Sequence, residues 1–383
     1  WLASPIFIIP PVLDLQSGLQ TDASYLEGKW DMNLDEVIKS VKQADEAAVK
    51  QALRRWDQVA KPLNSLGVLE EDIVRIAGAS GTAAIDISKK AIVVMCADNG
   101  IVEEGVTQTG QEVTAIVAGN MAKGCSCVCI MAGKAGADVI PIDVGIAGHD
   151  PIPGVLPRKI KEGTQNFLKA PSMSRGQALR AMEVGIRLAY ELKEKGYGLA
   201  GSGEMGIGNT TTSSAVLSVL LDQEPEAVTG RGAGLTTDGY SRKIQVIKDG
   251  IALHRPDRSD PVDVLAKVGG FDLAALAGFY IGCGMVRLPV VLDGLITGAA
   301  ALAAVRICPQ VRDFLLASHV SAEPAGEMVL DALGLRPAIR AGMCLGEGTG
   351  AAALFPLLDM AAAVYTQMSS FEEIQVGQYE HLV

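Results

Sequence analysis

Aromatic side chains make up only 4% of the 383 residues. So few rings cannot furnish the core of a β-sandwich or the stacking platform of a single-strand nucleic-acid binder. Positive charge is also short: 33 Lys and Arg stand against 44 Asp and Glu, a net charge of −11. A general nucleic-acid binder needs clustered cations to displace counterions from phosphates, so the acidic balance argues against that class. The histidines are only His149, His254, His319 and His381, scattered and without an H-E-x-x-H pair, which argues against a histidine metal site. The cysteines number seven and show no C-x-x-C spacing, which argues against a disulfide scaffold and a zinc site. Their odd count favours a reducing compartment, the cytoplasm. Cys125, Cys127 and Cys129 lie in the apolar run 124–132 and read as buried thiols acting as small hydrophobes. No run of about 20 consecutive apolar residues is present to span a bilayer, so stable membrane insertion is not expected. An ATP-type G-x-x-x-x-G-K-[ST] loop is missing, and Ser321-Ala322-Glu323 lacks a nucleophile elbow.

What is present is apolar and small. Hydrophobic residues reach 49% and glycines number 43, enough to bury a sizeable core and to exclude a disordered chain. The leader 1–31 is apolar but has no basic segment before it and does not read as a signal peptide, so its status stays open. From 32 to 61 apolar residues recur at helical spacing behind a candidate cap, Asn33, and a short helix is expected over 70–77. The run 91–95 is apolar at every position, as in a strand covered on both faces. Helical sequence over 111–135 and a strand over 137–144 complete a βαβ unit. Ser174 can cap a helix reaching about 195; a strand over 197–203, a helix over 211–221, a strand over 288–293 and a helix over 349–368 continue the alternation. The three prolines of 150–157 mark a loop. This order predicts an α/β fold, an open parallel sheet with helices on both faces, whose ligands gather at the carboxyl ends of the strands.

Three glycine-rich segments can carry chemistry. Gly201-Ser202-Gly203-Glu204-Met205-Gly206-Ile207-Gly208-Asn209-Thr210-Thr211 follows a strand and opens a helix. Its backbone N–H groups and hydroxyls suit a phosphate; a tight turn capped by Asn209 or Thr210 is the alternative. In Leu345-Gly346-Glu347-Gly348-Thr349-Gly350 a carboxylate sits between glycines before a helix. It suits a general base poised by opposing effects of helix dipole and apolar neighbours, or a Glu that merely stabilises that dipole. The polar loop 97–110 is a ligand loop or a solvated acidic one. Gly230-Arg231-Gly232-Ala233-Gly234, Lys243 and Asp293-Gly294 are further candidates, Lys243 as a phosphate partner or a solvated lysine.

Together these segments resemble one family. Cys96-Ala97-Asp98-Asn99-Gly100 with Glu104-Gly105-Val106, then Ile142-Asp143-Val144-Gly145-Ile146, then the Gly203 to Thr211 segment, stand in its order and spacing. So do Lys267-Val268-Gly269-Gly270-Phe271-Asp272-Leu273, Pro289-Val290-Val291-Leu292-Asp293-Gly294 and Leu345-Gly346-Glu347-Gly348-Thr349-Gly350-Ala351-Ala352. The chain is similar over roughly 32–368 to the nicotinate-nucleotide:dimethylbenzimidazole phosphoribosyltransferases.

The resemblance implies transfer of 5-phosphoribosyl from nicotinate mononucleotide to an aromatic base, giving an α-riboside 5′-phosphate and nicotinate for the nucleotide loop of cobamides. It implies Glu347 as general base and Glu204 as a second active-site carboxylate. It maps a phosphate and ribose pocket onto Gly206, Asn209, Thr210, Gly232, Lys243, Gly294 and Ser321, and an aromatic-base pocket onto Thr109, Val117, Met205 and Leu345. It implies no metal or cofactor, a Rossmann-like catalytic domain (86–354), a small helical domain (32–85 with 355–383) and a homodimer. The chain departs from the family pattern at 61–70, at Gly110, Val117 and Cys344, leaving the base open among dimethylbenzimidazole, another benzimidazole, a purine and a phenol. The alternatives are a non-catalytic or phenol-specific paralogue in a heterodimer, and a nucleotide-binding oxidoreductase. The intact Glu204, Glu347 and Lys243 speak against a non-catalytic subunit. The G-x-G-x-x-G lies past the chain's midpoint, which speaks against the oxidoreductase.

Overall fold

A computed structural model describes residues 34–148, 151–232 and 234–381. The leader, the Asn33 cap, His149 and Ala233 lie outside the described residues. Six strands form the sheet: β1 (Lys90–Ala97), β2 (Ala137–Gly145), β3 (Leu156–Pro157), β4 (Leu199–Met205), β5 (Val290–Leu292) and β6 (Leu315–Ala317). They run in the order β3-β2-β1-β4-β5-β6, with every neighbouring pair parallel. This is the doubly wound order, and the expected α/β fold is borne out.

The apolar runs of the strands follow from burial on both faces. Side chains alternate along a strand, so Ala91, Val93, Met95 and Ala97 enter one core while Ile92, Val94 and Cys96 enter the other. The first core lies under the helices Arg175–Glu194, Phe271–Val286 and Leu295–Ile307. The second lies under Glu46–Gln58, Val68–Ser80 and Thr349–Gln367, where Trp56 and Tyr365 meet edge to face with centroids 5.1 Å apart. Helices from both chain ends thus cover one face of the sheet.

Ser174 caps the Arg175–Glu194 helix in a reciprocal box with Gln177. That helix crosses Phe271–Val286 closely: a Cβ at Gly278 would overlap the Met182 backbone, and one at Gly185 the Ala275 carbonyl.

Several expected elements differ. The helical stretch 32–61 is two helices, Leu34–Ser40 and Glu46–Gln58, because Asp45 accepts from the Ala48 N–H at 2.8 Å and starts the second. The stretch 111–135 also splits, into Glu112–Ala122 and Cys127–Lys134: Gly124 turns at φ +73° and Ser126 caps the second of the two. Cys125 and Cys127 are consequently exposed and Cys129 half-buried, not core thiols, since this short second helix packs only one side on the sheet. The stretch 112–134 and the Thr349–Gln367 helix are apolar enough by composition to cross a membrane. The break at Gly124 interrupts the first, and the second lies half-buried against the sheet.

β4 starts and ends two residues later than expected. Gly203 and Glu204 continue the ladder opposite Val94 and Met95, while Tyr197 leaves it to donate to Asp138 Oδ2 at 2.7 Å. The loop 150–157 ends in the edge strand β3, where Pro157 is tolerated. The β5 ladder is shorter than 288–293.

Candidate active site

The sheet reverses its winding between β1 and β4, and loops diverge there at the strands' carboxyl ends. A cleft of about 760 Å³ opens at that point. Glu204, at the end of β4, and Glu347, just before the Thr349–Gln367 helix, both line it. Glycines bring these distant positions together. A Cβ on Gly203 would lie 2.5 Å from the Glu347 carbonyl carbon and from Gly348 N. A Cβ on Gly346 would lie 2.5 Å from Glu204 Oε1. Only bare backbone at both places lets the 345–350 turn lie against β4.

Glu204 is 6% exposed. The Asn209 amide donates to its Oε2, and also to Asp272 Oδ2 at 3.2 Å, so a single NH₂ group bridges two buried carboxyls. Burial pushes Glu204 well above the ordinary glutamate range, and the charges of Asp272 and Asp293 push the same way. Asp272 and Asp293 are each pushed up to about 6, chiefly by burial. Burial also raises Glu347, which is opposed by the Val128 backbone N–H and reinforced by the Asp293 charge. Desolvation is the largest of these effects and outweighs the Val128 N–H.

A second set of polar residues borders the carboxylates. Lys243 is buried and donates from Nζ to Thr210 Oγ1 at 2.9 Å and to the Gly230 carbonyl at 3.1 Å. Burial lowers its ammonium to about 8, against the pull of Glu323. Gly232, at φ +53°, presents its Cα side to Thr210 Oγ1 and Lys243 Nζ. Gly206, Asn209, Thr210 and Gly232 line the cleft, as do Gly294 and Ser321. Lys243 is not in the lining itself and reaches it through Thr210.

Of the aromatic-base set, Thr109, Met205 and Leu345 line the cleft. Val117 does not: it sits in the Glu112–Ala122 helix, packed on the second core. Asn209 directs its amide to carboxyl groups, which makes it a holder of Glu204.

Asp272, quoted in the 267–273 motif but given no role from sequence, opens the Phe271–Val286 helix behind Gly269-Gly270. Gln108, inside the 97–110 loop singled out from sequence but given no role of its own, donates its amide to the Gly234 carbonyl and ties that loop to the 230–234 segment. His319, judged merely scattered, lines the cleft. Its Nδ1 lies 3.0 Å from Ser318 Oγ, and burial holds its pKa below the usual histidine value. The sequence signal for His319 is weak, because β6 is only three residues long.

Known proteins resemble this chain in sequence and fold. Residues 41–376 match a protein family described as phosphoribosyltransferase. The nicotinate-nucleotide–dimethylbenzimidazole phosphoribosyltransferase of Ruminiclostridium cellulolyticum is 46% identical over 351 residues, covering 92% of this chain and 100% of that protein. The protein of the same name from Escherichia coli (strain SE11) is 44% identical over 336 residues, covering 88% of this chain and 94% of its own. The crystal structure of CobT from Thermus thermophilus superposes with a TM-score of 0.82 at 40% identity, covering 87% of this chain and 100% of that one.

Proposed function

This chain belongs to the nicotinate-nucleotide–dimethylbenzimidazole phosphoribosyltransferase family, and from that premise we propose how its cleft works. The enzyme transfers the 5-phosphoribosyl group of nicotinate mononucleotide to a ring nitrogen of dimethylbenzimidazole, releasing nicotinate, in the assembly of the cobamide nucleotide loop. The observation that carries our reading of the site is the seating of Glu347 beside Glu204 through Gly203, next to the cradle of Thr210, Gly232 and Lys243.

The scissile bond joins the ribose C1′ to a pyridinium nitrogen. That bond breaks with its electron pair going to nicotinate, which leaves as a neutral pyridine ring. The attacking nitrogen closes on C1′ from the opposite face, so the anomeric centre inverts. Glu347 takes the N–H proton from the other ring nitrogen of the base; its raised pKa makes it a stronger base than an exposed glutamate. Glu204 faces the positive charge that gathers on the ribose. In the empty cleft its burial, with the Asp272 and Asp293 charges, favours the protonated form; a pyridinium entering the cleft draws the proton off. The phosphate sits on Gly206, Thr210 and Gly232, with Lys243 behind and Gly294 and Ser321 opposite. Thr109, Met205 and Leu345 face the aromatic base.

Three further assignments complete the reading. The cytoplasm suits free thiols such as the buried Cys96, Cys283 and Cys308. A helical unit, 34–85 with 355–381, braces the catalytic part, 86–354, through Trp56, Ile73 and Tyr365. A second copy of the chain covers the Glu112–Ala122 and Cys127–Lys134 helices, whose Ile116 and Ile130 are 58% and 59% exposed. The test of the reaction is transfer itself: nicotinate mononucleotide with a panel of aromatic bases, products read by mass spectrometry. An α-riboside 5′-phosphate of dimethylbenzimidazole with equimolar nicotinate is expected; nicotinate retained with every base would contradict it.

A further inference from the structure

The turn that carries Glu347 has an uncommon backbone. Gly346, Glu347 and Gly348 have φ of +90°, +61° and +91° in succession. Two of the three are glycines and adopt this region freely, whereas Glu347 carries a steric penalty and keeps its place only where the surroundings over-determine it. Asp293 supplies that determination. It follows β5 directly and is 3% exposed. Its Oδ2 accepts from Gly348 N at 2.9 Å and its Oδ1 from Gly350 N at 2.6 Å, so one carboxylate holds N–H groups on both sides of Thr349. Asp293 is itself tied down, since its carbonyl accepts from Ser318 Oγ at 2.7 Å. A Cβ on Gly350 would lie 2.6 Å from Asp293 Oδ1, so glycine there leaves the carboxylate its place.

We propose that Asp293 is a positioning residue for Glu347: its two-oxygen grip on the Gly348 and Gly350 N–H groups holds the strained turn so that Glu347 faces the reacting base beside Glu204. This rests on the reading of Glu347 as general base. Asp293 also lines the cleft, and in this role it acts through the Gly348 and Gly350 backbone. An ionised carboxylate suits the task because both of its oxygens accept strongly. An asparagine has one acceptor oxygen and turns an NH₂ group toward the other N–H, so the turn loses half its anchor.

The test compares Asp293→Asn, Glu347→Gln and the double variant. Asp293→Asn is expected to lower kcat about 10- to 100-fold, with KM for nicotinate mononucleotide within about threefold, because misplacing a reacting group costs rate more than binding. In the Glu347→Gln background the same change should cost less than about twofold, since no base remains to be positioned. A further loss of about tenfold or more in the double variant would overturn the inference, and so would an unchanged kcat in Asp293→Asn. Near-normal activity of Glu347→Gln would instead remove the base reading, a separate failure. Should Asp293→Asn not fold, Asp293→Ser carries the same expectations. If neither variant binds nicotinate mononucleotide, Asp293 serves the fold at large and the inference is rejected.

Discussion

Lys243 shows how burial sets the chemistry of a single side chain. A lysine at about 8, with Nζ held by Thr210 and Gly230, is roughly half-charged at pH 8 in the empty cleft. A phosphate dianion favours the ammonium, so binding draws a proton from solution. Titration calorimetry with ribose 5-phosphate, which carries the anion and no pyridinium, should show uptake of about half a proton at pH 8, read from buffers of different ionisation heat. The sign follows from the direction of the shift: burial lowers this base and the anion restores it, so uptake fades at pH well below 8, where Lys243 is already charged. Heats that do not change with buffer at pH 8 would contradict the placement of Lys243 behind the phosphate. At this scale Glu204, Glu347, Thr210 and Lys243 were legible as residues flanked by glycine or in family register. Their supports were not. Asp272 and Asp293 stood in quoted motifs, Asp293 also as a candidate, but their partners in the site follow only once the sheet order sets the ends of β4 and β5 beside two helix starts, and no local pattern encodes that.

At the scale of elements, glycine decides how close two pieces may come. Gly278 lets the Phe271–Val286 helix lie on the Met182 backbone of Arg175–Glu194, and the pair forms much of the first core. Gly278→Ala would raise intrinsic helix propensity by about 1 kcal/mol, yet the added methyl meets backbone that cannot rotate away. Overpacking should dominate, destabilising the protein by about 1–3 kcal/mol or more. A urea denaturation midpoint equal to or above wild type would show that the helices cross with room to spare. Strands buried on both faces were legible as unbroken apolar runs, and so was the Ser174 cap. The breaks at Asp45 and Gly124 were not, because the apolar spacing runs on through both. The three-residue strands β5 and β6 carry too little pattern for their ends to be read; their place comes from pairing with neighbours.

The whole molecule places its chemistry at one end of a doubly wound sheet and leaves apolar helices uncovered nearby. Ile116 and Ile130 project from two short helices, and Leu345 at the cleft mouth is 57% exposed. Large exposed aliphatics on these helices support the self-association proposed above. Changing Ile116 and Ile130 together to Asp should convert a dimer to a monomer in sedimentation velocity, with the helix content kept. A wild-type chain that sediments as a monomer at micromolar concentration would contradict self-association through this face. The fold class could be read from the alternation of elements, and the reaction from motifs in family order. Neither revealed that Val117 lies off the cleft of a single chain, because the helix that bears it is aligned by packing on the second core.

The proposed catalysis in this cleft turns on two carboxylates sharing one space, with Glu347 assigned as the base. The most direct measurement is single-turnover transfer from nicotinate mononucleotide to dimethylbenzimidazole by wild type and Glu347→Gln, with nucleotide affinity measured in parallel. A general base in this position predicts a rate lower by about 10²–10⁴-fold in the variant, with the dissociation constant within about threefold. A loss of rate below about tenfold would contradict it.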